Sequence, residues 1–179
     1  LEVVLASSDF GAAVVDRQVM RERLHEAMKG HEETEVITME GFVGADELGE
    51  VTTLGRGGSD LTASLVANML GATHMEKSTD VPGMLTADPR LVPSARIIES
   101  MSYEEAMELC HFGAKVIYPP TLLPLREAGI PLIIRSTFDS SSTGTTICAE
   151  PDPGHGVRGV SSIDGMALLT LVGGGKVGI

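Results

Sequence analysis

Residues 52–60 read Thr-Thr-Leu-Gly-Arg-Gly-Gly-Ser-Asp, and no other stretch of the chain restricts its fold as closely. Apolar side chains follow at Leu61, Leu65, Val66, Met69 and Leu70, a helical spacing. A glycine turn feeding a helix start directs free backbone N–H groups outward, where an anion can be held. Arg56 adds a planar, permanently charged fork suited to a carboxylate or phosphate. The alternative is a plain turn in which Asp60 only caps the helix. Two nucleotide signatures are excluded. The pattern G-x-G-x-x-G fails because its last position is Asp60, and no Gly-Lys-Ser/Thr occurs; Lys176 in the Gly-rich run 173–178 lacks the hydroxyl that would follow it.

Around this loop, strand and helix signals alternate. Residues 1–5 read as a short strand end and residues 14–28, with Val15, Val19, Leu24 and Met28, as an amphipathic helix. Residues 36–43 read as a short apolar strand, and 44–50 as a polar loop leading into the glycine turn. The helix from Asp60 should stop at Gly71, followed by an extended segment over 72–80 that carries Glu76 and Lys77. Pro82-Gly83 predicts a turn, and residues 88–93 a proline-bounded loop. Ser102-Tyr-Glu-Glu is a capping box for a helix running to about His111, and Pro119-Pro120 opens another that ends before Gly129. Residues 131–136 read as a buried strand, 139–145 as a Ser/Thr-rich loop, and 150–156 as a linker. Residues 157–172 look strand-like, as if a new domain began there. The alternation predicts an α/β layered sheet, mainly parallel.

Composition narrows the function classes. With 179 residues and a net charge of −12, the chain has no basic face for nucleic acid or an anionic membrane. No run of eighteen apolar residues occurs, and the start shows no signal peptide. Cys110 and Cys148 match no zinc or redox spacing and read as two cytosolic thiols, which predicts a cytoplasmic location. The five histidines have no ligand-like spacing, so no protein-held metal is expected. Leu1 is not Met and the chain closes in mid-pattern, so a piece of a longer protein is expected.

Three clusters downstream carry candidate chemistry: Ser78-Thr79-Asp80-Val81-Pro82-Gly83 at a strand end, Thr86-Ala87-Asp88-Pro89-Arg90 in a proline-fixed loop, and Phe112-Gly113-Ala114-Lys115-Val116 after a helix. Singly, each has a structural explanation: Asp80 and Asp88 as turn residues, Arg90 as an ion-pair partner, Lys115 as a solvated charge. Together, Arg56, Arg90 and Lys115 in an acidic chain outline a pocket for two anions, a nucleotide and a carboxylate.

These motifs, with Thr53 to Asp60, stand in the order and spacing of aspartate kinases. The chain resembles that family from about residue 36 to 147, and residues 157–175 resemble the start of its ACT regulatory region. The segment from Met101 to Leu109 is similar to bifunctional aspartate kinase–homoserine dehydrogenases. The resemblance implies part of a three-layer α/β amino-acid-kinase (carbamate-kinase-like) fold over residues 1–150, a linker at 151–156 and the opening of an ACT domain at 157–179. It implies phosphorylation of L-aspartate by ATP to 4-phospho-L-aspartate, the first step towards lysine, threonine and methionine. Arg56, Gly57, Gly58 and Ser59 would hold aspartate. Asp60 would organise the cationic groups, with Asp60 and Lys115 catalytic. Thr79, Asp80, Leu85, Arg90, Lys115 and Val116 would contact ATP, with Mg²⁺ held mainly by the nucleotide. A homo-oligomer and a feedback amino acid, lysine or threonine, at a full ACT region are further implied.

Two departures from the family stand out. Its amino-terminal Lys-Phe-Gly-Gly strand and a glutamate-bearing substrate loop have no counterpart here, so residues 1–179 alone are expected to be inert. Where the family has isoleucine and an aromatic before Thr-Asp, this chain has Lys77 and Ser78. The rivals are another amino-acid kinase, such as a glutamate 5-kinase or uridylate kinase, and a non-catalytic regulatory or assembly fragment.

Overall fold

A computed structural model describes residues 3–31, 33, 36–153, 156–167 and 169–170. The first helix, α1 (Arg17–Met28), starts three residues later than the apolar spacing predicts. Asp16 sets the start, because its carboxylate accepts from the Gln18 and Val19 amides at 3.0 Å. Val14 and Val15 instead run extended, Val15 bridging to Ala6. Met20 and Leu24, one turn apart, bury the helix's apolar face.

A second correction concerns residues 36–43. No strand forms over 36–41; Val36 is 76% exposed, and strand β1 comprises Val43–Ala45 only. An apolar run becomes a strand only where a ladder partner satisfies its backbone. That partner, β2 (Val51–Thr53), pairs antiparallel with β1 alone. The expected loop over 44–50 therefore shrinks to the hairpin turn. Its organiser is the buried Asp46, whose carboxylate accepts from the Leu48 and Glu50 amides and the Ser8 hydroxyl at 2.9–3.0 Å. Those bonds, the Glu50 amide foremost, hold the Asp46 carboxyl below its ordinary range. Leu5 bridges to Ala45, so the amino-terminal segment extends this small sheet.

The larger sheet contains β3 (Met75–Thr79), β4 (Ser100–Ser102), β5 (Leu132–Ser136) and β6 (Thr145–Cys148), in the order β3-β5-β6-β4. Strands β3 and β5 are parallel, as are β4 and β6, but β5 and β6 are antiparallel. The short loop between β5 and β6 cannot make a parallel crossover and must reverse the chain. Gly144 permits that reversal at φ 70°, where a Cβ would lie 2.0 Å from the Ile134 carbonyl oxygen. Neither β4 nor β6 is legible in the sequence pattern.

The remaining helices follow their predicted punctuation. Helix α2 (Gly58–Leu70) stops at the left-handed Gly71. Helix α3 (Tyr103–His111) opens with a complete capping box between Ser102 and Glu105. Helix α4 (Leu122–Ala128) follows a 3-10 turn at Pro119–Thr121 and stops at Gly129. One core gathers Met101, Tyr103, Leu122, Leu125, Leu132, Ile134 and Ile147, with the Tyr103 hydroxyl donating to the Ile130 carbonyl at 2.7 Å. A second gathers Val4, Met20, Leu24, Leu54, Leu65 and Met69. Helix α2 joins the two, since Ala67 lies in the first and Leu65 and Met69 in the second.

Residues 157–167 form no strand, contrary to the sequence pattern; Leu168 and residues 171–179 lie outside the described residues. This segment is nonetheless tied back. The Val160 amide donates to the Thr86 carbonyl at 2.9 Å, and Arg158 reaches the Ser100 carbonyl at 2.8 Å and Glu105 at 3.3 Å. No helix among the described residues is long and apolar enough to cross a membrane.

Candidate functional site

Strand β2 delivers the chain directly into the glycine loop. Gly55 and Gly57 both take left-handed φ values, 72° and 71°. Space demands glycine too: a Cβ on Gly57 would fall 2.4 Å from the Tyr118 Cβ, and one on Gly55 2.5 Å from the Gly11 carbonyl oxygen. Gly57 is the residue that caps α2, and no side chain caps that end. Asp60 is therefore not the helix cap. It lies in the first turn, where the helix dipole favours a carboxylate, and pairs with Lys77 of β3.

Beside this loop lies a cavity of about 660 Å³. Arg56, Gly57 and Asp60 from the glycine loop and α2, Lys77 of β3, and Met107, Cys110 and His111 of α3 line it. Ala114 to Pro120 and Leu123 complete it. Burial pushes the Cys110 thiol up, so it faces the cavity as a thiol and not a ready nucleophile. The lining carries Arg56, Lys77 and Lys115 against one carboxylate, Asp60, a formal excess of two positive charges in a chain whose net charge is −12. Such a concentration of cations selects for an anionic ligand.

Of the residues marked out from the sequence, Arg56, Gly57, Asp60, Lys115 and Val116 share this cavity. Gly58, Ser59, Thr79, Asp80, Leu85 and Arg90 are not in its lining. Ser59 is exposed at the start of α2, and Gly58 is buried against Leu54 and Phe42. Thr79 ends β3 and Asp80 follows it, with the Thr79 hydroxyl donating to Asp80 at 3.1 Å. Leu85 bridges to Ile97. Arg90 folds onto Asp88 through Nε at 3.0 Å and Nη2 at 2.6 Å, and this pairing pulls the Asp88 carboxyl down to about 2. Sequence reasoning did not place Lys77, His111, Cys110 or Tyr118 at the site. Of these only Lys77 left a signal, a charge in the middle of a predicted extended segment, on the same strand face as the buried Met75.

Residues 2–136 match the profile of the amino acid kinase family. The chain belongs to that family. The chain is 43% identical over 145 residues to a bifunctional aspartokinase/homoserine dehydrogenase of Haemophilus influenzae, covering 80% of the chain and 18% of that relative. It is 41% identical over 136 residues to lysine-sensitive aspartokinase 3 of Escherichia coli, covering 76% of the chain and 30% of the relative. Its α/β fold matches the crystal structure of E. coli aspartokinase III in complex with aspartate and ADP, with a TM-score of 0.79 at 38% identity. That match covers 83% of this chain and 33% of the other. The chain thus spans a third or less of the length of these proteins.

Proposed function

We propose that this chain is the nucleotide-holding part of an aspartate kinase. The observation that carries the reading is the convergence of Arg56, Lys77 and Lys115 on one cavity in an acidic chain. The similar E. coli structure, which contains aspartate and ADP, supports a nucleotide and an amino acid as the two anions. In the reaction, an oxygen of the aspartate side-chain carboxylate bonds to the γ-phosphorus of ATP. The bond from that phosphorus to the bridging oxygen breaks, giving an acyl phosphate and ADP. No group of the protein needs to form a covalent intermediate; fixed cations neutralise the charge as it moves.

Arg56 serves the substrate carboxylate, with Gly57, Gly58 and Ser59 shaping its seat. Lys115 serves the phosphates, and Val116, Thr79, Asp80, Leu85 and Arg90 complete the nucleotide's surroundings; Arg90 must first exchange Asp88 for phosphate. Among the described residues no three carboxylate, histidine or cysteine groups converge as a metal cage, and Asp60 is engaged by Lys77. Magnesium therefore fits only as a companion of the nucleotide, lending positive charge to its phosphates.

The same reading makes the whole protein a cytoplasmic, homo-oligomeric enzyme of lysine, threonine and methionine synthesis, with an ACT region opening at residue 157. Free Cys110 and Cys148 fit a reducing compartment, and the lysine-sensitive relative fits feedback by an amino acid. The test is calorimetric titration with ADP, joined to trapping of aspartyl phosphate with hydroxylamine when ATP and L-aspartate are supplied. ADP binding that Lys115→Ala weakens by about tenfold or more supports the assignment, and absence of ADP binding refutes it.

A further inference from the structure

Lys77 stands in the middle of β3, registered against Ile134, which is fully buried. Its side chain is only 16% exposed. An ammonium in such a strand loses hydration, and even a well-paired buried ion pair is commonly no more stable than apolar residues of similar volume. An aliphatic side chain would serve the core at least as well, so stability does not account for the lysine. Its contacts do. The ammonium pairs with Asp60, in the first turn of α2, and donates to the Val116 carbonyl at 3.0 Å. One partner belongs to the glycine-loop helix, the other to the loop that carries Lys115. These partners use two of its three N–H groups among the described residues, leaving one for the cavity that Lys77 lines.

We propose that Lys77 is a positioning residue of the nucleotide site, a cation that clamps Asp60 to the Val116 carbonyl and so fixes the Lys115 loop against the glycine loop for phosphate binding. Without it, the cavity's excess of two positive charges falls to one, and the Asp60 carboxylate faces the incoming phosphates with no partner. Both changes act on a phosphorylated ligand and neither on an uncharged one. The proposal rests on the nucleotide reading above.

The experiment compares ADP with adenosine by calorimetry on the wild-type chain, Lys77→Met and Lys77→Arg, each checked by thermal unfolding. Lys77→Met should weaken ADP binding by about tenfold or more, the size of one partly screened charge interaction, and leave adenosine within about twofold. Lys77→Arg, which keeps the charge, should recover most of the ADP affinity. Lys77→Gln, which can still donate to Asp60, replaces Lys77→Met should the latter not fold. Wild-type ADP affinity in the neutral variants overturns the proposal alone. So does an equal loss for ADP and adenosine, which would mark a merely structural role. A wild-type chain that binds no ADP overturns the nucleotide reading and the proposal with it.

Discussion

Gly57→Ala tests whether the glycine loop is shaped by backbone conformation, by close approach, or by both. At φ 71° an alanine must adopt the left-handed region, at a cost of about 1–2 kcal/mol. The added Cβ would also meet the Tyr118 Cβ at 2.4 Å and its Cγ and Cδ1 at 2.9 Å. Those separations are well inside the roughly 3.5–4.0 Å of a relaxed carbon contact, and overpacking of this kind costs about 1–3 kcal/mol. The smaller conformational freedom of alanine in the unfolded chain returns about 0.4–1 kcal/mol. The net expectation is about 2–4 kcal/mol of destabilisation, read from urea unfolding. A double-mutant cycle separates the terms. Tyr118→Gly removes every side-chain atom that the new Cβ would strike, so the double variant should be less destabilised than the sum of the singles by about 1–3 kcal/mol. The φ cost should remain in both backgrounds. A loss below about 1 kcal/mol for Gly57→Ala, or strict additivity with Tyr118→Gly, would refute the close-approach argument.

Arg56→Lys keeps the charge but loses the bidentate fork, so in the full-length enzyme the KM for aspartate should rise while ADP affinity stays within about twofold; unchanged aspartate kinetics there would remove Arg56 from the substrate site. Lys115→Ala should weaken ADP binding by about tenfold or more, whereas Arg90→Ala, whose guanidinium is engaged by Asp88, should cost less than Lys115→Ala in the same titration. Asp88, with its folded-state carboxyl drawn from the ordinary 3.8 to about 2 by Arg90, should lend a contribution that is fully present above pH 3.8 and lost as pH falls towards 2. An NMR titration of the Asp88 side chain in wild type and Arg90→Ala checks this, the midpoint moving up in the variant.

Much of the fold was legible because its punctuation is local. The Ser102–Glu105 capping box, the left-handed Gly71 and Gly129, and the prolines before α4 fix helix ends by chemistry confined to one turn. Strands were less legible because a ladder needs a partner far along the chain. Residues 36–41 carry apolar side chains and no partner, and stay irregular, whereas the Ser/Thr-rich β4 and β6 become strands through pairing with each other and with β5. The same dependence explains the antiparallel pair in the larger, mainly parallel sheet, since the turn at Gly144 and not any residue pattern reverses β6 against β5.

The site follows the same division. Arg56, Asp60 and Lys115 stood out because each flanks a glycine turn, and the fold does bring them to one cavity. Asp60 was ambiguous while its partner was unknown. Locally it could cap a helix, and only Lys77 of β3 supplies the ammonium that gives its carboxylate another task. Lys77 was visible as an anomaly and unreadable as a function, because an ion pair between a strand interior and a helix start is a tertiary fact. A charge placed where the strand pattern asks for an apolar residue is costly, and the structure identifies what offsets that cost: Asp60 on one side, the Val116 carbonyl on the other, and a cation-rich cavity beyond.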